Sequence, residues 1–293
     1  MIGGGAQRGM VLVTVLWTIA LCSALAMATL VSFRSFAGIV AVGRDRVQGD
    51  ALLTAGLETA AALAAEWPRK PLLERQSTFN LTTGSVNVKI SDEGGRIDIG
   101  KAPADFLAAL LLSVGAPRAQ ADSVAQSIVG RRDRNHAPTN TAAANSSAAN
   151  SAESDGDTYF TDVGQIAEIP GIRPDWVAAI RPLTTVFGAE TVNPLTAPPG
   201  VIASIPGIDQ ARLQAFLAAR RSSPNDADRL STILGDGQHY VSAKPQQVAD
   251  VQIAAAMADG FTAAAHAVIV LMPQDQQPYR VLVWSPVSAR AIR

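Results

Sequence analysis

The side chains able to do chemistry in this 293-residue chain are few: three histidines, one cysteine and scattered carboxylates. His136 stands in a polar segment, His239 beside a Gly-rich turn and His266 within an apolar alternating stretch. None of them has the close spacing that gathers several ligands on a zinc ion. Cys22 is alone, so no intramolecular disulfide can form; the redox compartment stays open, because oxidising compartments permit disulfides without requiring them. No nucleophile elbow, Walker loop or dinucleotide fingerprint occurs. These residues argue against an enzyme. The most informative stretch is the N-terminus. There the short polar leader 1–9, with Arg8 just before Gly9, gives way at once to 24 positions, Met10 to Phe33, without Asp, Glu, Lys, Arg or His.

That run sets the first element. As a helix, 24 residues extend roughly 36 Å, enough to cross a hydrocarbon core of about 30 Å. A cleaved secretory signal is the rival reading, with Ala26-Met27-Ala28 as its cut site. Against it, the apolar stretch runs past that site into a further helical pattern. Arg8 competes with Arg34, Arg44 and Arg46 across the span, so charge alone does not orient it. From Arg34 to Trp67 there is no proline. Leu53, Leu57, Ala60, Ala61 and Ala64 recur at helical spacing among charged residues, so an amphipathic continuation over 34–67 is expected, ended by Pro68.

Beyond the span lie about 220 to 250 residues, enough for one or two domains with a real core. Hydrophobic residues make up 48% and aromatics 5%, so that core relies on aliphatic side chains. Ser85 to Ile90 alternates as a strand, and Arg96 to Ile99 after Asp92-Glu93-Gly94-Gly95 reads as its hairpin partner. Two strands cannot stand alone in water. Ala263 to Leu271 and Tyr279 to Trp284 supply others, giving one sheet built from both ends of the region and laid on the amphipathic helix. The stretch between is helical: Pro103 to Val114 carries Phe106, Leu107, Leu110 and Leu111 on one face, and Arg118 to Arg132 follows. Asn135 to Ser154, without a large apolar residue, reads as a mobile loop. Ile169-Pro170-Gly171-Ile172 returns as Ile205-Pro206-Gly207-Ile208, the mark of paired short helices around a tight turn. Such helix-hairpin-helix turns can offer N–H groups to a phosphate, and Arg173, Arg181, Arg212, Arg220 and Arg221 lie near. A net charge of −1 supplies no basic excess for nucleic acid, which favours modules used for packing.

Taken together, these pieces resemble the type II secretion system protein K family, the large minor pseudopilins. The matching residues are Arg8-Gly9-Met10, Leu16-Trp17, Asp92-Glu93-Gly94-Gly95-Arg96-Ile97-Asp98 before Ala102-Pro103, Arg131-Arg132-Asp133, and Ile169-Pro170-Gly171-Ile172. Thr191-Val192-Asn193, Thr196-Ala197-Pro198, Ile205-Pro206-Gly207 and the terminal Tyr279 to Trp284 complete the series in the family's order. The resemblance implies an α+β fold: a long transmembrane and amphipathic helix on a small antiparallel pilin-like sheet, with a large inserted all-α domain containing helix-hairpin-helix or SAM-like modules. The division is leader 1–9, span 10–33, amphipathic helix 34–67, head 68–100, insertion 101–240 and head strands 241–293. Prepilin peptidase would cut between Gly9 and Met10, and Met10 would be N-methylated. The protein would sit in the bacterial inner membrane by a single pass, N-terminus cytoplasmic and C-terminal domain periplasmic. Its partners would be the minor pseudopilins I and J, with which it would cap the pseudopilus, start its assembly and serve protein secretion. No reaction is implied.

Two further expectations follow from that resemblance. Position five of the mature chain is Thr14, where most prepilins carry a Glu that neutralises a neighbour's α-amino group in the apolar filament core. A hydroxyl cannot do this, which suits a subunit at the tip; the plainer account is a tolerated span residue returning its hydroxyl to the preceding turn. Calcium is the only cofactor implied, with Asp133, Asn135, Glu153, Asp155 and Asp157 as oxygen ligands, although their spacing fits no EF-hand. The competing functions are a membrane-anchored DNA-uptake or pilus protein and a secreted protein with an ordinary signal.

Overall fold

The computed structural model describes residues 6–66, 74–136, 160–244 and 246–287. Its first element is one unbroken helix, α1 (Ala6–Ala64), of 59 residues and so about 88 Å long. No proline interrupts it. The described helix ends at Ala64; Pro68, the expected stop, lies outside the described residues. The last turns of α1 bury Leu52, Leu53, Leu57, Ala60, Ala61 and Ala64.

The chain continues as β1 (Glu74–Leu81), β2 (Gly84–Asp92) and the two-residue β3 (Ile97–Asp98), then α2 (Ala104–Ser113), α3 (Arg118–His136) and α4 (Pro174–Ile180). After β4 (Thr184–Thr185) come α5 (Pro199–Ala203), α6 (Gln210–Ser222) and α7 (Ala227–Leu234), and finally β5 (Val248–Met257), β6 (Thr262–Leu271) and β7 (Tyr279–Val287). Five strands make one antiparallel sheet in the order β1-β2-β5-β6-β7, drawn from both ends of the region beyond the span. One sheet face carries Val86, Val88, Ile90, Val251, Ile253, Ala265, Ala267 and Ile269, which form a single core with the buried face of α1. Alternate residues of the same strands point to the other face. Helix and sheet lie close because Gly56, Ala60 and Ala64 are small and four residues apart. A Cβ on Gly56 would stand 2.5 Å from Ile253 Cγ2 and 3.1 Å from Val86 Cγ1.

The expected hairpin between Ser85–Ile90 and Arg96–Ile99 does not form. β2 pairs instead with β1, Phe79 opposite Val86, across the two-residue turn Thr82-Thr83. Glu93–Gly95 coils into a 3-10 turn capped by Asp92. β3 then leaves the sheet to pair in parallel with β4, and Ile97 and Ile99 are buried in the helical core. The glycine pair serves close packing here, since a Cβ on Gly95 would meet the Thr196 carbonyl oxygen at 2.7 Å.

The insertion leaves the sheet at Asp92 and returns beside it, with Asp92 opposite Ala249. It has its own core, in which Phe106, Leu110, Phe160, Trp176, Ile202 and Phe216 are buried. It is not all-α: the β3–β4 pair and a bridge between Val192 and Val241 tie its helices together. Both repeated turns hold their glycine at positive φ, +86° at Gly171 and +78° at Gly207, a region that L side chains rarely adopt. The first turn follows a 3-10 segment, Val163–Glu168, and leads into α4; the second joins α5 to α6.

Candidate functional site

The N-terminal end of α1 holds the residues expected to be processed. Gly9 and Met10 both lie on its helical backbone, and Thr14 is exposed on it. Leu12–Thr29 has a mean hydropathy of 2.0 and is entirely unburied, so by length and composition it is able to cross a membrane. Thr18 and Thr29 each return their hydroxyl to a carbonyl three residues earlier, at 2.8 Å, which is how this helix accommodates hydroxyls in an apolar run. The backbone passes Ala26-Met27-Ala28 without a break.

A second site was only half visible in the sequence. Asp92 ends β2 with its carboxylate buried, accepting hydrogen bonds from the Gly94 N–H at 2.9 Å, Thr196 Oγ1 at 2.7 Å and Asn193 Nδ2 at 3.2 Å. The Asn193 N–H donates in turn to the Gly94 carbonyl at 2.7 Å. Burial raises the Asp92 pKa, and the three donors work against it. The Asp92 turn and the distant Thr191–Pro198 segment are thus two halves of one joint between sheet and insertion.

Beside it lies a network of charge. Arg96 Nη1 stands 2.7 Å from Glu93 Oε1 and 3.3 Å from Asp250 Oδ2, and His266 Nε2 is 2.7 Å from that same Asp250 oxygen. Burial pushes Glu93 up to about 7 although Arg96 opposes the shift. Burial also works to raise Asp250, but His266 and Arg96 outweigh it and hold its carboxyl below the ordinary value. The hydrogen bond to Asp250 raises His266. Asp250 and His266 sit on neighbouring strands, of which only the His266 strand is legible as apolar alternation; the available signal was one His on the polar beat of that strand. Buried Asp98 accepts the Gly100 N–H at 2.7 Å, and Arg132 donates to the carbonyls of Gly100 and Ala102 at 3.3 and 3.1 Å. The arginine of Arg131-Arg132-Asp133 thereby clamps α3 onto the turn after β3.

The other expected sites come together less. Asp133 is exposed and ion-paired to Arg132 at 3.4 Å; Asn135 lies on the α3 backbone; Glu153, Asp155 and Asp157 lie outside the described residues. Among the described residues no three His, Cys, Asp or Glu could share a metal. Asp133 alone does not fit an ion that wants six to eight oxygens. Near the repeated turns, Arg173 binds Asp175 through two bonds of 2.9 and 3.0 Å. Arg220, half-buried over Phe216, donates to the carbonyls of Pro194 and Ala197. Arg220 thus ties α6 to the Pro194–Ala197 segment, and the charge of Arg173 is met locally by Asp175.

An apolar helix long enough to span a membrane, continued into a helix packed on an antiparallel sheet that carries a large and mostly helical insertion, defines a class of α+β proteins with a long N-terminal helix. Residues 77–189 match the family model of type II secretion system protein K, in agreement with the resemblance read from the motifs. The fold agrees: a chain in the crystal structure of the GspK-GspI-GspJ complex from the enterotoxigenic Escherichia coli type 2 secretion system superposes with a TM-score of 0.56. That match is 13% identical and covers 85% of this chain and 99% of the other. No curated protein sequence matches the chain.

Proposed function

We propose that the protein is a minor pseudopilin of the type II secretion system that caps the pseudopilus with the I and J pseudopilins and helps to start its assembly. The observation that carries this reading is the union of a membrane-length helix and an antiparallel head with the protein K match over residues 77–189. The solved complex containing the similar chain joins three such proteins, which suggests the I and J partners. On this reading prepilin peptidase cuts between Gly9 and Met10, Met10 is methylated, and the chain sits in the inner membrane with its head in the periplasm. The role is organisational, and the helix-hairpin-helix-like turns serve packing. Calcium rests on the family resemblance, and titration calorimetry of the protein with Ca²⁺ tests it: no heat removes it. Co-purification tests the central reading. Full-length protein expressed with the I and J subunits of the same secretion system should recover both from membranes, and deletion of this protein should abolish secretion. Failure to recover either subunit, or secretion that persists when the protein is deleted, would overturn it.

A further inference from the structure

We propose that the joint between sheet and insertion is a proton-operated latch, in which a proton held among Glu93, Asp250 and His266 keeps the insertion seated on the sheet and its loss loosens it. The geometry is that of a closed charge cluster. Three carboxylates, Asp92, Glu93 and Asp250, lie at the mouth of the insertion, with one guanidinium, Arg96, between Glu93 and Asp250 and one imidazole, His266, also on Asp250, while Asp92 is held by neutral donors. The Glu93 side chain is 2% exposed and that of Asp250 5%, so water does little to screen them. With all three ionised and His266 neutral, the cluster holds three negative charges against one positive. One proton, on Glu93 or on His266, reduces that excess.

Charged and polar groups from several elements face Glu93. Asp92 comes from β2, Arg96 from the turn itself, Asp250 from β5 and His266 from β6, while Thr185 of β4 lies against Glu93 from the insertion and favours its charged form. Lys89, in register with Gln252 and His266 across the same sheet face, is already paired with Glu74 at 2.9 Å. The same few residues carry the mechanical connection. Asp92 grips Asn193 and Thr196, and the Gly94 carbonyl grips the Asn193 N–H.

The direction follows from the shifts. Glu93 is raised from 4.5 to about 7, so the closed joint holds a proton that the open joint releases. The stability from this group is complete below pH 4.5 and is lost as pH rises to about 7. His266, raised from 6.5, adds a loss of the same sign above pH 6.5. Asp250 is lowered from 3.8 and acts only on the acid side, where its contribution is lost as pH falls.

Hydrogen exchange of the full-length protein in detergent micelles tests the latch, read at the amides of Val192, Asn193, Thr196 and Ala197 and corrected for intrinsic rates. Between pH 5 and pH 6.5 the opening constant should rise roughly tenfold or more. In Glu93→Gln, which keeps a neutral side chain of the same shape, the rise should shrink to less than about threefold. Asp92 and Asp98 are present in both proteins, so the difference isolates Glu93. A flat wild-type profile, or an unchanged slope in the variant, would overturn the proposal. Carboxyl NMR of glutamate-labelled wild-type protein does not depend on the variant folding: one glutamate should titrate near pH 7, and none titrating above pH ~6 would overturn it equally.

Discussion

At the residue scale three side chains are unusual for where they stand. Thr14 occupies the fifth position counted from Met10, on an exposed stretch of apolar helix. If its lack of a carboxylate fixes the subunit above the others, Thr14→Glu should permit incorporation inside the filament. Cross-linking of pseudopili would then find the variant along the shaft, whereas unchanged tip placement and secretion would remove the idea. Asp92 is buried with three donors aimed at it. Asp92→Ala leaves the Gly94 N–H, Asn193 and Thr196 without their acceptor, at a cost of about 2–4 kcal/mol measured by denaturant unfolding. A loss below about 0.5 kcal/mol would show that water replaces the carboxylate. Arg220 carries a sequence-level lesson, because a cation near a glycine turn looks like a phosphate ligand until its partners are known. Here those partners are backbone carbonyls.

At the element scale, α1 depends on being narrow where it crosses the sheet. Gly56→Val should cost roughly 1–3 kcal/mol and lower the melting temperature, because its side chain would displace Ile253 and Val86 in a packed core. Gly207→Ala meets nothing within 4 Å, so its cost, roughly 1–2 kcal/mol, comes from the positive φ alone. Equal stability of either variant in thermal unfolding would contradict these assignments. The helices and the apolar strands were legible in the sequence because their periods are strong: Phe106, Leu107, Leu110 and Leu111 mark α2, and Ala263 to Leu271 marks β6. β1 was missed because Glu74–Leu81 is an edge strand with only Phe79 and Leu81 as large apolar residues. β5 was missed because its alanines and Asp250 carry no β-branched alternation over their second half. Ile97 and Ile99 misled for a different reason. Alternation records that a strand has a buried face but not which core buries it, and theirs is the helical one. The joint stayed half hidden because Asp92 and Thr196 are 104 residues apart and only the fold brings them together.

At the scale of the whole molecule, two hydrophobic cores share one chain, the first between α1 and the sheet and the second within the insertion. Because Asp92 and Ala249 are register partners, the insertion can be cut out where β2 meets β5. A variant with residues 93–247 replaced by a short Asn-Gly hairpin should keep α1 and all five strands and still unfold cooperatively by circular dichroism, though with lower stability. An unfolded product would show that the insertion is needed to form the sheet. The long helix gives the molecule its function on the reading advanced above, by anchoring a head of this kind in the membrane for assembly with similar subunits. The most direct measurement of that reading is intact mass and terminal sequencing of the mature protein recovered from cells that carry the secretion system. The account predicts a chain that begins at Met10 with one methyl group on its α-amine. A chain that begins near Thr29, or one that retains residues 1–9, would contradict it.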